Sequence, residues 1–355
     1  MALVTDQPAA SRVLVCTEGA LGRITLNRPE AINALDLGMI QDITRALEAW
    51  KTDTDVQIVL LDGEGRGLCA GGDVRALYDQ IRAGEPERTA EFFRAEYAMN
   101  ALIAEYPKPL VAFADGITMG GGIGLAGHAA IRIVTERSKL AMPETRIGFT
   151  PDVGGTYLLG RAPGRLGEYL ALTGRTLNGS DAVYTGLADH YVPSENLDAL
   201  REALAYRADP TGPAELVLLF DETPEPSSLR AERVWIDEVF SAGSIGEIVH
   251  RLAERAEPAA SETAAVLAEL APTGLAVTLD AVREARTGDL RDALTGEYRR
   301  VLWFVNHHPD LVEGIRAQLV DKDRAPHWQP ATIAELDPDA GAEARAYVPA
   351  APLFG

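Results

Sequence analysis

Two acidic residues stand in the mostly apolar segment Leu140–Gly155, and each directly follows a proline. They are Glu144, after Pro143, and Asp152, after Pro151. The apolar neighbours would remove water from both carboxyl groups, and burial raises a carboxyl pKa towards the range that acid–base or nucleophilic catalysis needs. The alternative for both residues is a structural role in a helix cap or a surface turn. This alternative has more weight for Asp152 than for Glu144. We predict both as catalytic residues.

A glycine-rich loop, Gly65–Asp73, follows the apolar run Val56–Leu61. Such a loop at the end of a strand is where α/β folds place their sites. Gly71 and Gly72 allow a tight backbone whose N–H groups point outward at an anion. A plain turn between a strand and a helix is the alternative interpretation.

The second glycine run, Gly120–Gly122, opens an apolar helix. It would leave bare N–H groups at a helix N-terminus, which favours negative charge; close helix packing is the alternative. Gly122, Gly124 and Gly127 also fit the G-x-G-x-x-G pattern of dinucleotide-binding folds. That pattern should directly follow its strand, whereas Gly122 lies nine residues beyond Phe113, so the match is weak.

Hydrophobic periodicity predicts the elements that position these loops. Short β-branched runs predict strands at Val13–Val15, Arg23–Leu26, Val56–Leu61, Pro109–Phe113 and Ile131–Val134. Helical spacing of apolar residues predicts helices over Asp36–Trp50 and Thr89–Glu105, and this alternation is typical of a parallel α/β sheet with crossover helices. After about residue 198, periodicity predicts helices at Leu229–Phe240, Ile245–Ala256, Ala259–Leu270, Thr273–Arg286 and Asp289–Val305.

Composition excludes several classes of protein. The 355 residues are 46% hydrophobic and 24% charged, as in a globular chain, and the net charge of −20 disfavours nucleic acid or an anionic membrane as partner. Cys16 and Cys69 cannot form a disulfide framework, and no cluster of residues has metal-ligand spacing, so no metal is predicted. No apolar run would span a membrane, and the N-terminus lacks the pattern of a signal peptide. We therefore expect a cytoplasmic protein.

Three motifs, in this order, are similar to the crotonase (enoyl-CoA hydratase/isomerase) superfamily. They are NRPEAINAL at Asn27–Leu35, LCAGGD at Leu68–Asp73 and GITMGGGIGL at Gly116–Leu125. The resemblance implies a crotonase-like ββα-superhelix core over residues 12–200, followed by a mostly helical C-terminal region over residues 201–355. It also implies an oxyanion hole for an acyl-CoA thioester at Gly72 and Gly121, with Gly71, Asp73 and Arg75 beside the substrate.

Further segments resemble the 3-hydroxyisobutyryl-CoA hydrolase branch of the superfamily. They are FRAEY at Phe93–Tyr97, the segment containing Glu144 and Asp152, APTGLAVTL at Ala271–Leu279, EYR at Glu297–Arg299, and Asp310–Pro330. The branch implies hydrolysis of a short-chain 3-hydroxyacyl-CoA in valine breakdown. It places Glu96 at the acyl site with Gly121, Glu144 and Asp152, and it requires no cofactor beyond the CoA of the substrate.

Two alternatives on this fold remain, and the first is an enoyl-CoA hydratase or isomerase. Hydratases of the superfamily carry a catalytic glutamate at the position of Gly124, and glycine cannot transfer protons, so hydration of a double bond is disfavoured. A non-catalytic acyl-CoA-binding relative is the second alternative. Because CoA is a polyanion, a local basic patch is needed, and Arg66, Arg75 and Arg82 flank the first glycine loop. The superfamily also makes a homo-oligomer an expectation.

Overall fold

The computed structural model describes residues 11–206 and 212–354. Most of the N-terminal segment used to predict the absence of a signal peptide lies outside these ranges. Within them, no single helix has both the length and the hydropathy needed to cross a membrane, although one bent pair, Pro258–Ala268 with Pro272–Glu284, meets that test when taken together.

Two sheets form the α/β part of the chain. Six strands are ordered β1-β2-β3-β4-β6-β8, and β5 pairs with β7 in a second, two-stranded sheet. The strands are β1 (Val13–Glu18), β2 (Leu21–Leu26), β3 (Ile58–Gly63), β4 (Leu110–Ala114), β5 (Ile117–Met119), β6 (Ile131–Val134), β7 (Lys139–Ala141) and β8 (His190–Tyr191). All pairs except β1 with β2 are parallel. The predicted parallel α/β sheet is confirmed, with one antiparallel hairpin at its edge because only Gly19 and Ala20 separate β1 from β2.

Sixteen α-helices are found in the described ranges, and the seven predicted from periodicity are among them. They are α1 (Leu37–Trp50), α2 (Val74–Ala83), α3 (Pro86–Ala104), α4 (Gly121–Ala126), α5 (Gly155–Gly160), α6 (Leu166–Thr173), α7 (Gly179–Thr185), α8 (Leu197–Tyr206), α9 (Pro213–Val217), α10 (Ser228–Phe240), α11 (Ile245–Ala253), α12 (Pro258–Ala268), α13 (Pro272–Glu284), α14 (Leu290–His307), α15 (Asp310–Ile315) and α16 (Ala340–Ala346). Short 3-10 turns cover Pro29–Ala31, Glu144–Ile147, Ser194–Asn196 and Ile333–Glu335, and a π-helical turn covers Arg316–Val320.

Strand-like hydrogen bonds hold the two glycine loops side by side. The Met119 N–H donates to the Cys69 carbonyl at 2.9 Å, and the Cys69 N–H donates to the Ile117 carbonyl at 3.1 Å. These bonds join the loop after β3 to β5, which leads directly into Gly120. The pairing therefore fixes the position of Gly71 relative to Gly120 and closes one side of a cavity.

The C-terminal helices share a hydrophobic core with the sheet. Helix α14 packs on α3, and α13 packs on α6. One continuous cluster of buried side chains includes Leu26 of β2, Leu275 of α13 and Phe304 of α14. The division of the chain at residue 200 stays a prediction.

Candidate active site

A cavity of about 290 Å³ lies where the glycine loops meet the segment that carries Glu144 and Asp152. It brings together six of the predicted site residues, namely Gly71, Gly72, Glu96, Gly121, Glu144 and Asp152. Gln318 and Leu319 of the C-terminal π-helical turn form part of the wall. Residues from five separate parts of the chain therefore meet at one cavity.

The backbone N–H groups of Gly72 and Gly121, at this cavity, have no acceptor among the described residues. Each follows a glycine with positive φ, Gly71 at +114° and Gly120 at +49°, a conformation that glycine adopts without steric cost. A β-carbon placed on Gly121 would lie 3.3 Å from the Gly72 nitrogen, so the two groups are close neighbours. Two adjacent donors of this kind can bind one oxygen that carries negative charge.

Glu144 begins a 3-10 turn directly after Pro143 and is buried, with 8% of its surface exposed. Its Oε1 lies 2.9 Å from the position that a β-carbon on Gly120 would take, and its Oε2 has no hydrogen-bond partner in the described residues. Burial, and then the nearby charge of Asp152, raise the pKa of this carboxyl well above its ordinary value. A buried carboxyl with an unused oxygen beside two amide donors is suited to nucleophilic or general-base catalysis.

Asp152 is also buried, and it caps no helix. Its Oδ2 accepts a hydrogen bond of 2.7 Å from the Tyr97 hydroxyl. Burial raises the pKa of Asp152 to about 7, with the Tyr97 hydrogen bond acting in the opposite direction. The surface-turn and helix-cap alternatives for Asp152 are therefore wrong.

Glu96 reaches the cavity from α3 and is 2% exposed. Its Oε1 lies 2.6 Å from the position that a β-carbon on Gly121 would take and has no partner among the described residues. Burial, and then the charge of Asp152, raise its pKa well above the ordinary value. A protonated Glu96 beside Gly121 would not repel an oxyanion held there.

Asp73 and Arg75 do not line this cavity. The Asp73 carboxylate caps α2 by accepting from the Ala76 N–H at 3.2 Å, and it pairs with Arg28 at 2.9 Å. Arg75 is exposed on α2, and Arg66 and Arg82 are exposed as well. The role of these residues beside the substrate stays a prediction.

Sequence reasoning missed several residues of the site. Tyr97 directly follows Glu96 in a segment already singled out, so a polar partner for a buried acid could have been sought there. Arg146, at the cavity wall, donates to the Thr173 carbonyl at 3.1 Å and has no carboxylate partner in the described ranges. No sequence signal pointed to Gln318, because its place in the wall depends on how α15 packs against α2 and the Glu144 turn.

The region around Gly124 is closely packed. A β-carbon on Gly124 would lie 2.8 Å from both the Asn100 Nδ2 and the Val153 Cβ, and one on Gly122 would lie 2.4 Å from the Cys69 carbonyl oxygen. The packing interpretation thus explains Gly122 and Gly124, which both lie within α4. A glutamate cannot occupy position 124 unless the Asp152 segment moves.

We expect the stability difference between the wild type and Asp152→Asn to depend on pH. The folded protein keeps the Asp152 proton up to about pH 7, whereas the ordinary pKa is 3.8. Between these values the folded state binds more protons than the unfolded chain, so the free energy of unfolding falls as the pH rises, by up to about 1.4 kcal/mol per pH unit. Urea unfolding of both proteins at pH 5, 6, 7 and 8 measures this, and equal slopes for the two would contradict it.

The sequence model of a family described as enoyl-CoA hydratase/isomerase matches residues 21–344. A curated relative from Danio rerio, named "3-hydroxyisobutyryl-CoA hydrolase, mitochondrial", is 43% identical over 335 residues, which are 92% of this chain and 87% of the relative. The relative of the same name from Homo sapiens is 39% identical over 336 residues, covering 92% and 86%. These matches confirm the family and the branch predicted from the motifs.

Solved structures confirm the crotonase-like fold. One is titled a carnitinyl-CoA dehydratase from Mycobacterium thermoresistibile; it has a TM-score of 0.91 and 45% identity, over 97% of this chain and 98% of the other. Another, titled an enoyl-CoA hydratase from Rhodobacter sphaeroides, has a TM-score of 0.88 and 40% identity, over 95% and 98%.

The expected cytoplasmic location is contradicted by the same comparisons. The curated relatives that match over 92% of the chain are named as mitochondrial proteins. Composition does not separate the cytosol from the mitochondrial interior, because an acidic protein can work in either.

Proposed function

Because the chain belongs to the enoyl-CoA hydratase/isomerase family, we propose that it hydrolyses the thioester of 3-hydroxyisobutyryl-CoA, or of a close short-chain 3-hydroxyacyl-CoA, to the free acid and CoA. The observation that carries the proposal is the pair of buried carboxyls, Glu144 and Asp152, in one cavity with the free N–H groups of Gly72 and Gly121. The names of the curated relatives support the substrate.

The first role in the reaction belongs to the backbone. The thioester oxygen accepts hydrogen bonds from the N–H groups of Gly72 and Gly121, and these donors stabilise the negative charge that develops as the carbonyl is attacked. Both groups are preorganised, because the bonds between Cys69 and β5 hold the two loops together. Little reorganisation is then needed during the reaction.

Glu144 takes part in the attack on the thioester carbonyl in one of two ways. As a nucleophile, its carboxylate forms a bond to the carbonyl carbon, the C–S bond breaks, CoA leaves as the thiolate, and water then hydrolyses the mixed anhydride. As a general base, it takes a proton from the water that attacks the carbonyl directly. The unpartnered oxygen of Glu144 suits both roles.

Asp152 and Glu96 complete the acyl side of the site. Asp152, held by Tyr97, binds the 3-hydroxyl of the substrate or orients water, and Glu96 supports it from α3. A buried acid used in this way disfavours acyl groups without the hydroxyl, because its own polar atoms would be left unpaired.

Arg146 is a candidate for the CoA phosphates, together with the predicted Arg75. It lies at the cavity wall, and the surrounding chain has a net charge of −20, which would otherwise repel a polyanion. Arg75 is exposed on α2, next to Val74, which lines the cavity.

Hydration of an enoyl-CoA is the second candidate, since both solved structures described above have hydratase or dehydratase titles. The packing around Gly124 argues against it. Asn100 and Val153 occupy the space in which a second catalytic glutamate would have to stand.

The test follows free thiol from 3-hydroxyisobutyryl-CoA and, in parallel, hydration of crotonyl-CoA by the wild-type protein. We expect thiol release and no hydration. Hydration without thiol release would overturn the proposal in favour of the hydratase. Binding of the acyl-CoA with neither reaction would favour a non-catalytic binding protein.

A further inference from the structure

The turn that follows Asp152 has an unfavourable backbone conformation. Val153 has φ of +53° and Gly154 has φ of +77°. Glycine adopts this region freely, but for a β-branched residue it is an outlier. Such a conformation persists only where the surrounding structure enforces it, and it is often found at functional sites.

His128 holds the first residue of this turn. Its ring is buried, and Nε2 lies 2.8 Å from the Val153 carbonyl oxygen. Burial lowers the pKa of His128 to about 4, so the ring is neutral near pH 7 and donates a hydrogen bond from Nε2. The ring also packs against Gly154, because a β-carbon on that glycine would lie 2.4 Å from Nε2.

Glu297 holds the second residue of the turn and the start of α5. This carboxylate comes from α14, 143 residues further along the chain than Gly154, and is 1% exposed. It accepts from the Gly154 N–H at 2.6 Å, from the Thr156 N–H at 2.9 Å and from the Thr156 hydroxyl at 2.5 Å. Both carboxylate oxygens are therefore used on the backbone next to Asp152.

Neither residue lines the cavity, so neither is in a position to touch the substrate. We propose that Glu297 and His128 are positioning residues for Asp152, which fix the strained Val153–Gly154 turn so that the Asp152 carboxyl stays in the cavity beside Tyr97. The inference rests on the proposed function, because it assigns these contacts to the acyl site of the hydrolase.

The first experiment measures kcat and KM of Glu297→Gln with 3-hydroxyisobutyryl-CoA between pH 5 and 9. Glutamine fills the same space, but its NH2 group must face either the Gly154 N–H or the Thr156 donors, so part of the network is lost. Because misplacing a catalytic group by about 1 Å costs on the order of 10²-fold in rate, we expect kcat to fall by about that factor. We expect KM to change by less than about threefold, because groups acting at the reacting centre affect kcat more than uniform binding.

The pH profile separates positioning from a general loss of structure. Asp152 faces Tyr97, Glu96, Glu144 and Glu297. If the Asp152 carboxyl is displaced, its distances from these groups change, and its pKa changes with them. We expect the midpoint of the profile near pH 7 to shift in Glu297→Gln. Thr156→Val should show a weaker form of the same effect, and Thr156→Ser should keep wild-type kcat because its hydroxyl is retained.

Three further variants complete the design. His128→Leu removes the donor to Val153 and should lower kcat, whereas His128→Gln keeps an N–H donor at similar reach and should retain more of the activity. Glu168→Gln is the matched control: Glu168 is buried and hydrogen-bonded to Arg286 and Arg165, away from the cavity. We expect it to lower thermal stability and leave kcat within about twofold, because surrounding contacts there do not reach the reacting centre.

A crystal structure of Glu297→Gln shows directly whether Glu297 positions Asp152. We expect Val153 to leave the positive-φ region and the Tyr97–Asp152 bond to lengthen. An unchanged turn, or a wild-type kcat and pH midpoint, would overturn this inference and leave the hydrolase proposal standing. Absence of thiol release by the wild type would instead overturn the proposed function, and the turn in the variant crystal would still decide whether Glu297 fixes Asp152.

Discussion

Replacing Glu144 with glutamine is expected to lower kcat for thiol release by about 10²- to 10⁴-fold, the usual contribution of a positioned acid–base group. Glutamine has nearly the same shape, yet it can neither attack a thioester nor take a proton from water. Since Oε2 of Glu144 has no partner among the described residues, the substitution breaks no bond made by that oxygen. The measurement is thiol release at saturating 3-hydroxyisobutyryl-CoA.

The stability of Glu144→Gln distinguishes loss of chemistry from loss of fold. A buried carboxyl with a strongly raised pKa is unfavourable in its charged form, so a neutral amide should leave the thermal midpoint equal to that of the wild type or higher. The control is Glu254→Gln, which makes the same glutamate-to-glutamine replacement at an exposed side chain. A stable Glu144→Gln protein that retains more than about a tenth of wild-type kcat would remove Glu144 from the reaction, since even a weak general base contributes more than this.

The second large effect is expected for Gly121→Ala, which keeps the Gly121 N–H but blocks access to it. We expect a loss in kcat/KM of at least about 10²-fold, the cost of losing one oxyanion donor. The added methyl group would lie 2.6 Å from the Glu96 Oε1 and 3.3 Å from the Gly72 nitrogen. It therefore occupies the space between the two free N–H groups, where the thioester oxygen would bind. Because Gly121 does not have positive φ and begins α4, alanine fits its backbone.

The matched control is Gly246→Ala, at a helical glycine whose β-carbon would meet nothing within 4 Å. Alanine in a helix is favoured over glycine by about 1 kcal/mol, so this variant should be slightly more stable and equally active. Gly72→Pro complements the test, since proline removes one N–H without placing a methyl group between the donors. If Gly121→Ala and Gly72→Pro both kept wild-type kcat/KM, the oxyanion hole would lie elsewhere.

Several features of the site were predictable because they depend on short stretches of chain. The apolar neighbours of Glu144 and Asp152 predicted their burial, and both carboxyls are buried. Glycines at strand ends predicted unusual backbone there, and Gly71 and Gly120 have positive φ. Helix periodicity located α10 to α14 to within a few residues, because the apolar face that a helix buries is formed by regularly spaced residues of that helix alone.

Other features were not predictable because they depend on contacts between distant segments. The contacts of Asp73 are an example, because its carboxylate caps α2 and pairs with Arg28, 45 residues away along the chain. A short polar side chain before a helix can serve either purpose, and only the position of Arg28 in space shows which contact is made. Gln318 and Tyr97 were missed for the same reason.

The α/β class, the family, the two glycine loops and the burial of the carboxyls follow from the amino-acid sequence, because motifs, burial and backbone freedom depend on nearby residue types. The packing of the folded chain is needed to show that bonds between Cys69 and β5 bring the two free N–H groups together. The same packing places Glu297, from a helix far along the chain, on the turn beside Asp152. Such contacts depend on how whole elements pack, and no local pattern records which distant side chain will reach a given backbone group.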